Sequence, residues 1–132
     1  FDMAVDTEGF LWVVNPGNHL LVNFTSGGTY RASWGQYSMR EEGFSGCCNP
    51  SHIAIMSDGS FVTSEKGIPR VKVYNAAGRL TAIVAGPDAF REDAAGLDLA
   101  VDSEDRIYVL DPSGKNLRLY MKKFDKPEKE AA

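Results

Sequence analysis

Apolar residues in this chain fall into short runs that are separated by glycine, proline, asparagine and aspartate. Runs of this kind, rich in valine, isoleucine and aromatic residues, predict β-strands joined by turns. Within residues 50–74 they predict strands at 52–56, 60–63 and 70–74, with turns at Asp58-Gly59 and around Gly67. The alternation of apolar and polar residues is incomplete, which indicates strands that are covered on both faces.

The same three-strand pattern occurs three times in the chain. Residues 1–24 and 97–120 align with residues 51–74 without a gap, with Ala4, Ala54 and Ala100 in register. The offsets are 54 − 4 = 50 and 100 − 54 = 46 residues, and only the linkers differ in length. A fourth strand is predicted at 29–33 after the first unit. Another is predicted at 80–85 after the second, where Ile83 is expected to face a neighbouring unit, and none after the third.

Repeated three-stranded units followed by a fourth strand, at spacings of 46 to 50 residues, are typical of β-propeller blades. We therefore predict an all-β fold of four-stranded antiparallel meanders, the last one incomplete. The predicted blades with their linkers cover residues 1–49, 50–95 and 96–124 of one structural domain, and a disordered tail covers 125–132. Because each blade covers its faces only with neighbouring blades, three blades leave two faces open. We expect a second copy to complete a six-bladed ring as a homodimer, although a truncated fragment of a longer propeller would show the same pattern.

Composition narrows the classes of partner. The chain has 132 residues, 43% of them hydrophobic and 24% charged, as expected of a folded domain, and its net charge is −4. A negative charge argues against nucleic acid as a partner, because phosphate binding needs a basic surface. No apolar run approaches the roughly 20 residues needed to cross a bilayer. The chain begins at Phe1, which suggests missing upstream residues, so no compartment is predicted.

The repeated unit resembles the NHL repeat. The likeness rests on the inner strands at 3–5, 53–55 and 99–101, each followed by a turn, an apolar second strand and a closing strand. Asn18-His19-Leu20 spells the name-giving motif in the first unit, and the other two units depart from it. The resemblance implies a propeller. Members of the family include protein- and RNA-binding scaffolds, receptor ectodomains, bacterial proteins of unassigned role and a zinc-dependent lyase acting on peptidylglycine.

Polar residues are expected to collect on one face of such blades. In a meander, the start of the first strand, the end of the second and the linker to the next blade lie on the same side. Asp2, His52 and Asp98 precede the three inner strands and are predicted to surround the mouth of a central channel. The other residues of this predicted ligand-binding face follow the second strands: Asn15, Glu65, Asp111, Lys66 and Arg70. Two of them, Lys66 and Arg70, are positively charged and suit an anion.

Two candidate chemistries follow from these positions. Asp2, His52 and Asp98 offer oxygen and nitrogen ligands that suit a divalent cation such as zinc or calcium, or they simply line a hydrated channel mouth. Cys47 and Cys48 are adjacent and cannot close an ordinary loop. They are compatible with a thiolate site near His52, a vicinal disulfide, a dithiol for soft metals, or two small side chains packed beneath a glycine-rich loop.

No catalytic residue is assigned, because no serine, histidine and acid stand in a defensible order. His19, Trp12 and Trp34 are predicted to be structural residues of a turn and of blade packing. The sequence thus favours a scaffold that binds a protein or a small molecule through the loop-rich face, with no firmly assigned cofactor. The alternative is a metal-dependent enzyme, similar to a lyase or a hydrolase, with its site at the channel mouth.

Overall fold

A computed structural model of the chain describes residues 1–123, and the predicted tail at 125–132 lies outside the described residues. The strands form three antiparallel sheets of four, four and three strands, which we call blades 1, 2 and 3. Blade 1 contains β1 (Met3–Val5), β2 (Leu11–Asn15), β3 (Leu20–Phe24) and β4 (Tyr30–Trp34). Blade 2 contains β5 (His52–Ile55), β6 (Phe61–Glu65), β7 (Arg70–Tyr74) and β8 (Leu80–Ala85). Blade 3 contains β9 (Asp98–Val101), β10 (Ile107–Asp111) and β11 (Asn116–Tyr120).

The predicted all-β fold of repeated meanders is confirmed. Each strand pairs with the next one along the chain, and equivalent residues pair in the same register in all three blades. Ala4 lies opposite Trp12, Ala54 opposite Val62, and the blade 3 equivalents at 100 and 108 also pair. Blade 3 has three strands among the described residues, and the positions equivalent to β8 of blade 2 lie outside them, so the expected absence of a fourth strand stays a prediction. A 3-10 turn at Pro87–Ala89 lies in the second linker.

The blades stack side by side, because β5 at the inner edge of blade 2 contacts both β1 and β9. Two apolar clusters fill the spaces between blades. Blades 1 and 2 enclose a cluster that includes Val14, Leu21, Phe44, Ile53, Phe61 and Tyr74, and Trp34 packs on it. Blades 2 and 3 enclose a second cluster that includes Ala54, Val62, Val71, Val73, Leu99, Ile107 and Val109. Blade 2 is covered on both sides, so every residue of β6 and β7 is buried.

The structural roles predicted for single residues are confirmed. Trp34 packs 4.8 Å from Tyr74 and 5.3 Å from Phe61 between ring centroids, and Trp12 meets Phe61 edge to face at 4.6 Å. His19 ends the turn Pro16–Asn18 in the left-handed conformation, with φ of 60°. Packing between blades 1 and 2 therefore depends strongly on aromatic contacts.

Asp105 replaces the glycine found at the first turn of the other two units. Its φ is 59°, so the turn keeps the left-handed conformation, as predicted. Its carboxylate also accepts hydrogen bonds from the backbone amide and the hydroxyl of Ser57, at 2.8 and 2.5 Å. The exchange of glycine for aspartate therefore adds a link between blades 2 and 3.

Asp102 holds the same turn through its side chain. Desolvation raises the pKa of this carboxyl, but hydrogen bonds from Arg106, the Glu104 amide and the Tyr108 hydroxyl outweigh it and lower the pKa to about 2. Asp6 is the equivalent residue of blade 1 and accepts hydrogen bonds from the amides of Glu8 and Phe10, each at 2.9 Å. The repeat thus encodes a side-chain cap for this turn in blades 1 and 3.

Asp102→Asn is expected to reduce the loss of unfolding free energy that the protein shows as the pH falls below about 4. The ordinary pKa of 3.8 applies to the unfolded chain and a pKa of about 2 to the folded one. The ionised carboxyl therefore contributes stability that is fully present above about pH 4 and is lost as the pH falls toward about 2. Urea unfolding of parent and variant at several pH values measures this difference. Parallel profiles for the two proteins would show that the side chain has no such role.

Among residues 1–123, two blade faces are not covered by another blade and carry exposed apolar side chains. The outer face of blade 1 carries Met3 and Val5, each 61% exposed. The outer face of blade 3 carries Leu110, Leu117 and Leu119, which are 46%, 64% and 51% exposed. Ile83, which was expected to face a neighbouring blade, instead lies 37% exposed on β8 and takes no part in either interblade cluster. That prediction is wrong, and the leucines of blade 3 are the better examples of an open blade face.

Candidate functional site

Three titratable side chains stand together at the start of the inner strands, as predicted. His52 begins β5, Asp98 begins β9, and Asp2 directly precedes β1. His52 Nδ1 lies 3.6 Å from Asp2 Oδ2 and 3.5 Å from Asp98 Oδ1, so the imidazole sits between two carboxylates. We call these three residues the mouth cluster.

Backbone contacts fix two members of the mouth cluster. Asp2 Oδ2 accepts a hydrogen bond from the Ile53 amide at 3.0 Å, which joins blade 1 to blade 2. Asp98 Oδ1 accepts one from the Leu99 amide at 2.9 Å. Each carboxylate is therefore held in place by an inner strand. All three side chains reach solvent, with exposed fractions of 27% for Asp2, 25% for His52 and 61% for Asp98.

The spacing of the donor atoms in the mouth cluster suits a small cation. One ligand atom from each residue lies within 4.8 Å of the other two. Two ligands bound about 2.1 Å from a tetrahedral ion are themselves about 3.4 Å apart, close to the two distances from the His52 nitrogen. The residues thus fit a divalent cation that takes mixed nitrogen and oxygen ligands, with its remaining coordination positions open.

Glu65 and Arg70 are buried and pair with each other. Glu65 Oε2 lies 2.5 Å from Arg70 Nη2, and Glu65 Oε1 lies 2.6 Å from Nζ of Lys72. The exposed fractions of these side chains are 0% for Glu65, 4% for Arg70 and 0% for Lys72. The prediction that Glu65 and Arg70 line a ligand-binding face is therefore wrong, because their charges are used within the protein.

This buried cluster holds the linker between blades 1 and 2. Lys72 Nζ donates hydrogen bonds to the carbonyls of Glu41 and Gly43, each at 2.7 Å. Arg70 donates to the carbonyls of Arg40 and Gly43, each at 3.2 Å. Burial lowers the pKa of Lys72 to about 8, although the charge of Glu65 opposes that shift. The segment 39–43 is thus held against blade 2 by charge-assisted hydrogen bonds.

Blade 3 repeats this arrangement with different residues. Asp111 is 46 positions after Glu65, and Arg118 is 46 positions after Lys72. Arg118 Nη2 lies 3.0 Å from Asp111 Oδ2, and its Nη1 donates to the Ala89 carbonyl of the second linker at 2.5 Å. Asp111 is 1% exposed, so its prediction as a ligand-binding residue is also wrong.

The two other predicted residues differ in accessibility. Asn15 is half-buried, and its side-chain oxygen accepts a hydrogen bond from Asn18 at 3.3 Å. Lys66 is exposed, and its backbone amide and carbonyl bond to the side chain of Asn49. Both residues reach solvent, so Asn15 and Lys66 stay predictions for the ligand-binding face.

Cys47 and Cys48 form a vicinal disulfide in the linker before β5. Cys47 is exposed and Cys48 is half-buried, so the pair is not packed beneath the loop. Of the four alternatives that the sequence left open, the structure shows the disulfide. Its chemistry is separate from the mouth cluster, in which the imidazole of His52 faces the two carboxylates.

A cleft that the sequence analysis did not identify is formed by two connections of blade 2. It has a volume of about 740 Å³ and lies between the turn after β6 and the linker after β8. Its lining combines apolar residues with two carboxylates and consists of Gly67, Ile68, Pro69, Pro87, Asp88, Phe90 and Glu92. The available signal was Ile68 and Phe90, two large apolar residues in otherwise polar connections.

Comparison with known proteins identifies no family. No protein-family model matches the chain, and no curated protein matches it either. Among residues 1–123, the helical segments are short 3-10 turns, and none has the length and apolar character that a membrane-spanning helix needs.

Proposed function

We propose that this chain is an NHL-repeat propeller scaffold that works as a homodimer and binds a protein or a small ligand at its loop-rich face. The proposal rests on one observation. Inside the molecule, blade 2 packs one face on the preceding blade and the other on the following blade, and the two open faces carry apolar residues at these same positions of the repeat. The family resemblance supplies the propeller class, and the contacts of the blades supply the argument for assembly.

The open face of blade 3 matches the face that blade 2 presents to blade 3. Val62, Val71 and Val73 pack there, and their equivalents 46 positions later are Tyr108, Leu117 and Leu119. The two leucines are more than half exposed in blade 3. The positions that pack against the following blade in blade 2 are thus apolar in blade 3 as well, and the two leucines there are largely uncovered.

The open face of blade 1 matches the face that blades 2 and 3 each present to the preceding blade. Ile53, Ile55 and Phe61 of blade 2 pack against blade 1, and their equivalents 50 positions earlier are Met3, Val5 and Leu11. The same positions in blade 3 are occupied by Leu99, Val101 and Ile107, which pack against blade 2. The face of blade 1 therefore suits a preceding blade, and blade 3 of a second copy has the required surface.

Closure by two copies would complete the mouth. Each copy contributes one histidine and two aspartates, so the ring would collect two His52 and four carboxylates around one axis. The cleft formed by the connections of blade 2 adds a surface that is lined by apolar residues and by Asp88 and Glu92, which favours ligands that are apolar and positively charged. Loops carried on rigid strands are the usual place for binding residues.

The mass of the protein in solution tests this assembly. Light scattering at micromolar concentration is expected to give twice the 14.4 kDa of one chain. A well-folded monomer at all concentrations would contradict the ring. A partly unfolded monomer would instead favour the alternative that these blades are a piece of a longer propeller.

A second candidate function is a metal-dependent enzyme with its site at the mouth. The observation in its favour is the spacing of donor atoms from Asp2, His52 and Asp98, which suits zinc or calcium. The three residues would hold the cation, and the cation would supply Lewis-acid chemistry next to the open coordination positions. His52 lies between the carboxylates and would orient the ligand set.

His52→Ala is expected to weaken zinc or calcium binding by about tenfold or more, because one of three ligands is lost. Titration calorimetry of metal-free protein measures the change. The matched control is His19→Ala, the other histidine, whose ring lies in the turn after β2 and bonds to the Gly46 carbonyl. Less than about 0.1 equivalent of metal taken up by the parent protein, or equal binding by both variants, would eliminate the metal site.

A further inference from the structure

The disulfide between Cys47 and Cys48 stands out because it closes no loop of chain. The two cysteines are neighbours in sequence. A disulfide stabilises a fold mainly by restricting the unfolded chain, and the effect grows with the length of the loop that it closes. A bond between adjacent residues restricts very little. Stabilisation of the fold therefore does not explain this pair.

Other contacts already fix the chain on both sides of the disulfide. Before it, the amide and hydroxyl of Ser45 donate to Glu65 Oε2 at 3.3 and 3.2 Å. After it, Asn49 Nδ2 donates to the carbonyls of Ser45 and Lys66 at 2.7 and 2.8 Å, and Lys66 N donates to Asn49 Oδ1 at 2.9 Å. Opening the disulfide leaves these anchors in place.

The two sulfur-bearing residues differ in their access to solvent. Cys47 is exposed, whereas Cys48 is half-buried, and Gly46 before them turns the chain with a φ of 69°. The carbonyl of Gly46 lies 2.7 Å from Nε2 of His19, which ties the loop to blade 1. A thiol arriving from solvent therefore meets Cys47 first, on a loop whose position is set by its neighbours.

We propose that Cys47–Cys48 is a reversible thiol–disulfide exchange site for small-molecule thiols. A thiolate from solvent attacks Cys47 Sγ, the bond between the two cysteines breaks, and its electron pair leaves on Cys48 Sγ, which takes up a proton. A second thiolate then attacks the sulfur of the first small molecule. Cys47 is released as a thiolate and takes up a second proton from solvent, the two small molecules leave as their own disulfide, and the protein has gained two electrons and two protons.

This site is independent of the homodimer and of the mouth cluster. Its two cysteines, its anchors and its exposed edge all belong to one chain. Thiol exchange is therefore expected in a monomer as well as in a ring, and failure of the assembly proposal leaves this one standing.

Glutathione buffers test the exchange with folded protein. After equilibration, free thiols are alkylated and both cysteines are quantified by mass spectrometry. The dithiol form is expected to rise from about one tenth to nine tenths over a roughly hundredfold change in the ratio of squared reduced to oxidised glutathione, as a two-electron couple requires. The melting temperature is expected to change by less than about 2 °C between the two forms.

Single variants separate the two sulfurs. Cys48→Ser leaves only the exposed Cys47, and Cys47→Ser leaves only the half-buried Cys48. With oxidised glutathione, the first variant is expected to form the mixed disulfide about tenfold faster than the second. Each variant is the matched control of the other, since both lack the disulfide.

Two results would overturn the proposal. One is a disulfide that stays intact in excess dithiothreitol until the protein is unfolded by urea. The other is a loss of more than about 2 kcal/mol of unfolding free energy on reduction, which is typical of structural disulfides. Equal reaction rates for the two single variants would remove Cys47 as the point of attack.

Discussion

Glu65→Ala is expected to lower the free energy of unfolding by about 3–5 kcal/mol, because it leaves two cations buried without their anion. Arg70 and Lys72 are 4% and 0% exposed, and both lie within 2.6 Å of the Glu65 carboxylate. Ser45 would also lose the acceptor for its amide and hydroxyl. Urea unfolding at one fixed protein concentration, followed by the fluorescence of Trp12 and Trp34 between blades 1 and 2, measures the loss.

Asp111→Ala is the matched control for this prediction. It breaks the equivalent pair in blade 3, but Arg118 is 24% exposed and water can solvate the cation that remains. A smaller loss of about 1–2 kcal/mol is therefore expected. If Glu65→Ala lowers the free energy of unfolding by no more than Asp111→Ala does, burial of the cluster does not explain its contribution to stability.

A local measurement separates the role of the cluster in the linker from its role in overall stability. Lys72 and Arg70 hold the carbonyls of residues 39–43, so hydrogen exchange and proteolysis in that segment are expected to rise in Glu65→Ala. The same probes on the linker at 86–95 are expected to change little. Equal loosening of both linkers would indicate general destabilisation instead.

The repeat explains why the fold was predictable from the sequence. The unit occurs in three copies that align without a gap, so each strand is predicted three times at the same position. Turn residues also fall at the same positions in each copy. Asp105 takes the left-handed conformation of the glycine it replaces, so alignment by position identified a turn that local composition obscures. The mouth cluster was found in the same way, because Asp2, His52 and Asp98 occupy one position in the repeat.

Burial of charges was not predictable from the pattern of one strand. Arg70 and Lys72 alternate with valines in β7, which is typical of a strand with one solvated face. In the folded chain the linker at 36–45 covers that face, and no local pattern reports such long-range cover. The signal that was available is again the repeat: an acid and a base recur 46 positions apart as Glu65 with Lys72 and Asp111 with Arg118.

The outer strands show a second limit of sequence patterns. The pairing of β7 with β8 shifts between Val71 and Lys72 and again between Val73 and Tyr74. A shift of one residue moves side chains to the other face of a sheet. The orientation of Ile83 therefore does not follow from its spacing, whereas β11 pairs regularly with β10 and places Leu117 on the open face.

Leu117→Glu is expected to convert the proposed dimer to a monomer. Closure of a ring by two copies creates two equivalent contacts between blade 3 of one copy and blade 1 of the other, so each substitution counts twice. Loss of a buried leucine with burial of a carboxylate costs about 2 kcal/mol or more at each contact. The dissociation constant of the dimer is then expected to rise by about a thousandfold or more.

Met39→Glu is the control, because Met39 is 58% exposed, close to the 64% of Leu117, but lies in the first linker away from the open faces. Sedimentation velocity over a range of concentrations is expected to show a dimer for the parent and for Met39→Glu, and a monomer of lower stability for Leu117→Glu. Because neighbouring blades supply much of each core, urea is expected to unfold that monomer at lower concentration than the dimer. A Leu117→Glu protein that stays dimeric would place the contact between copies elsewhere on the molecule.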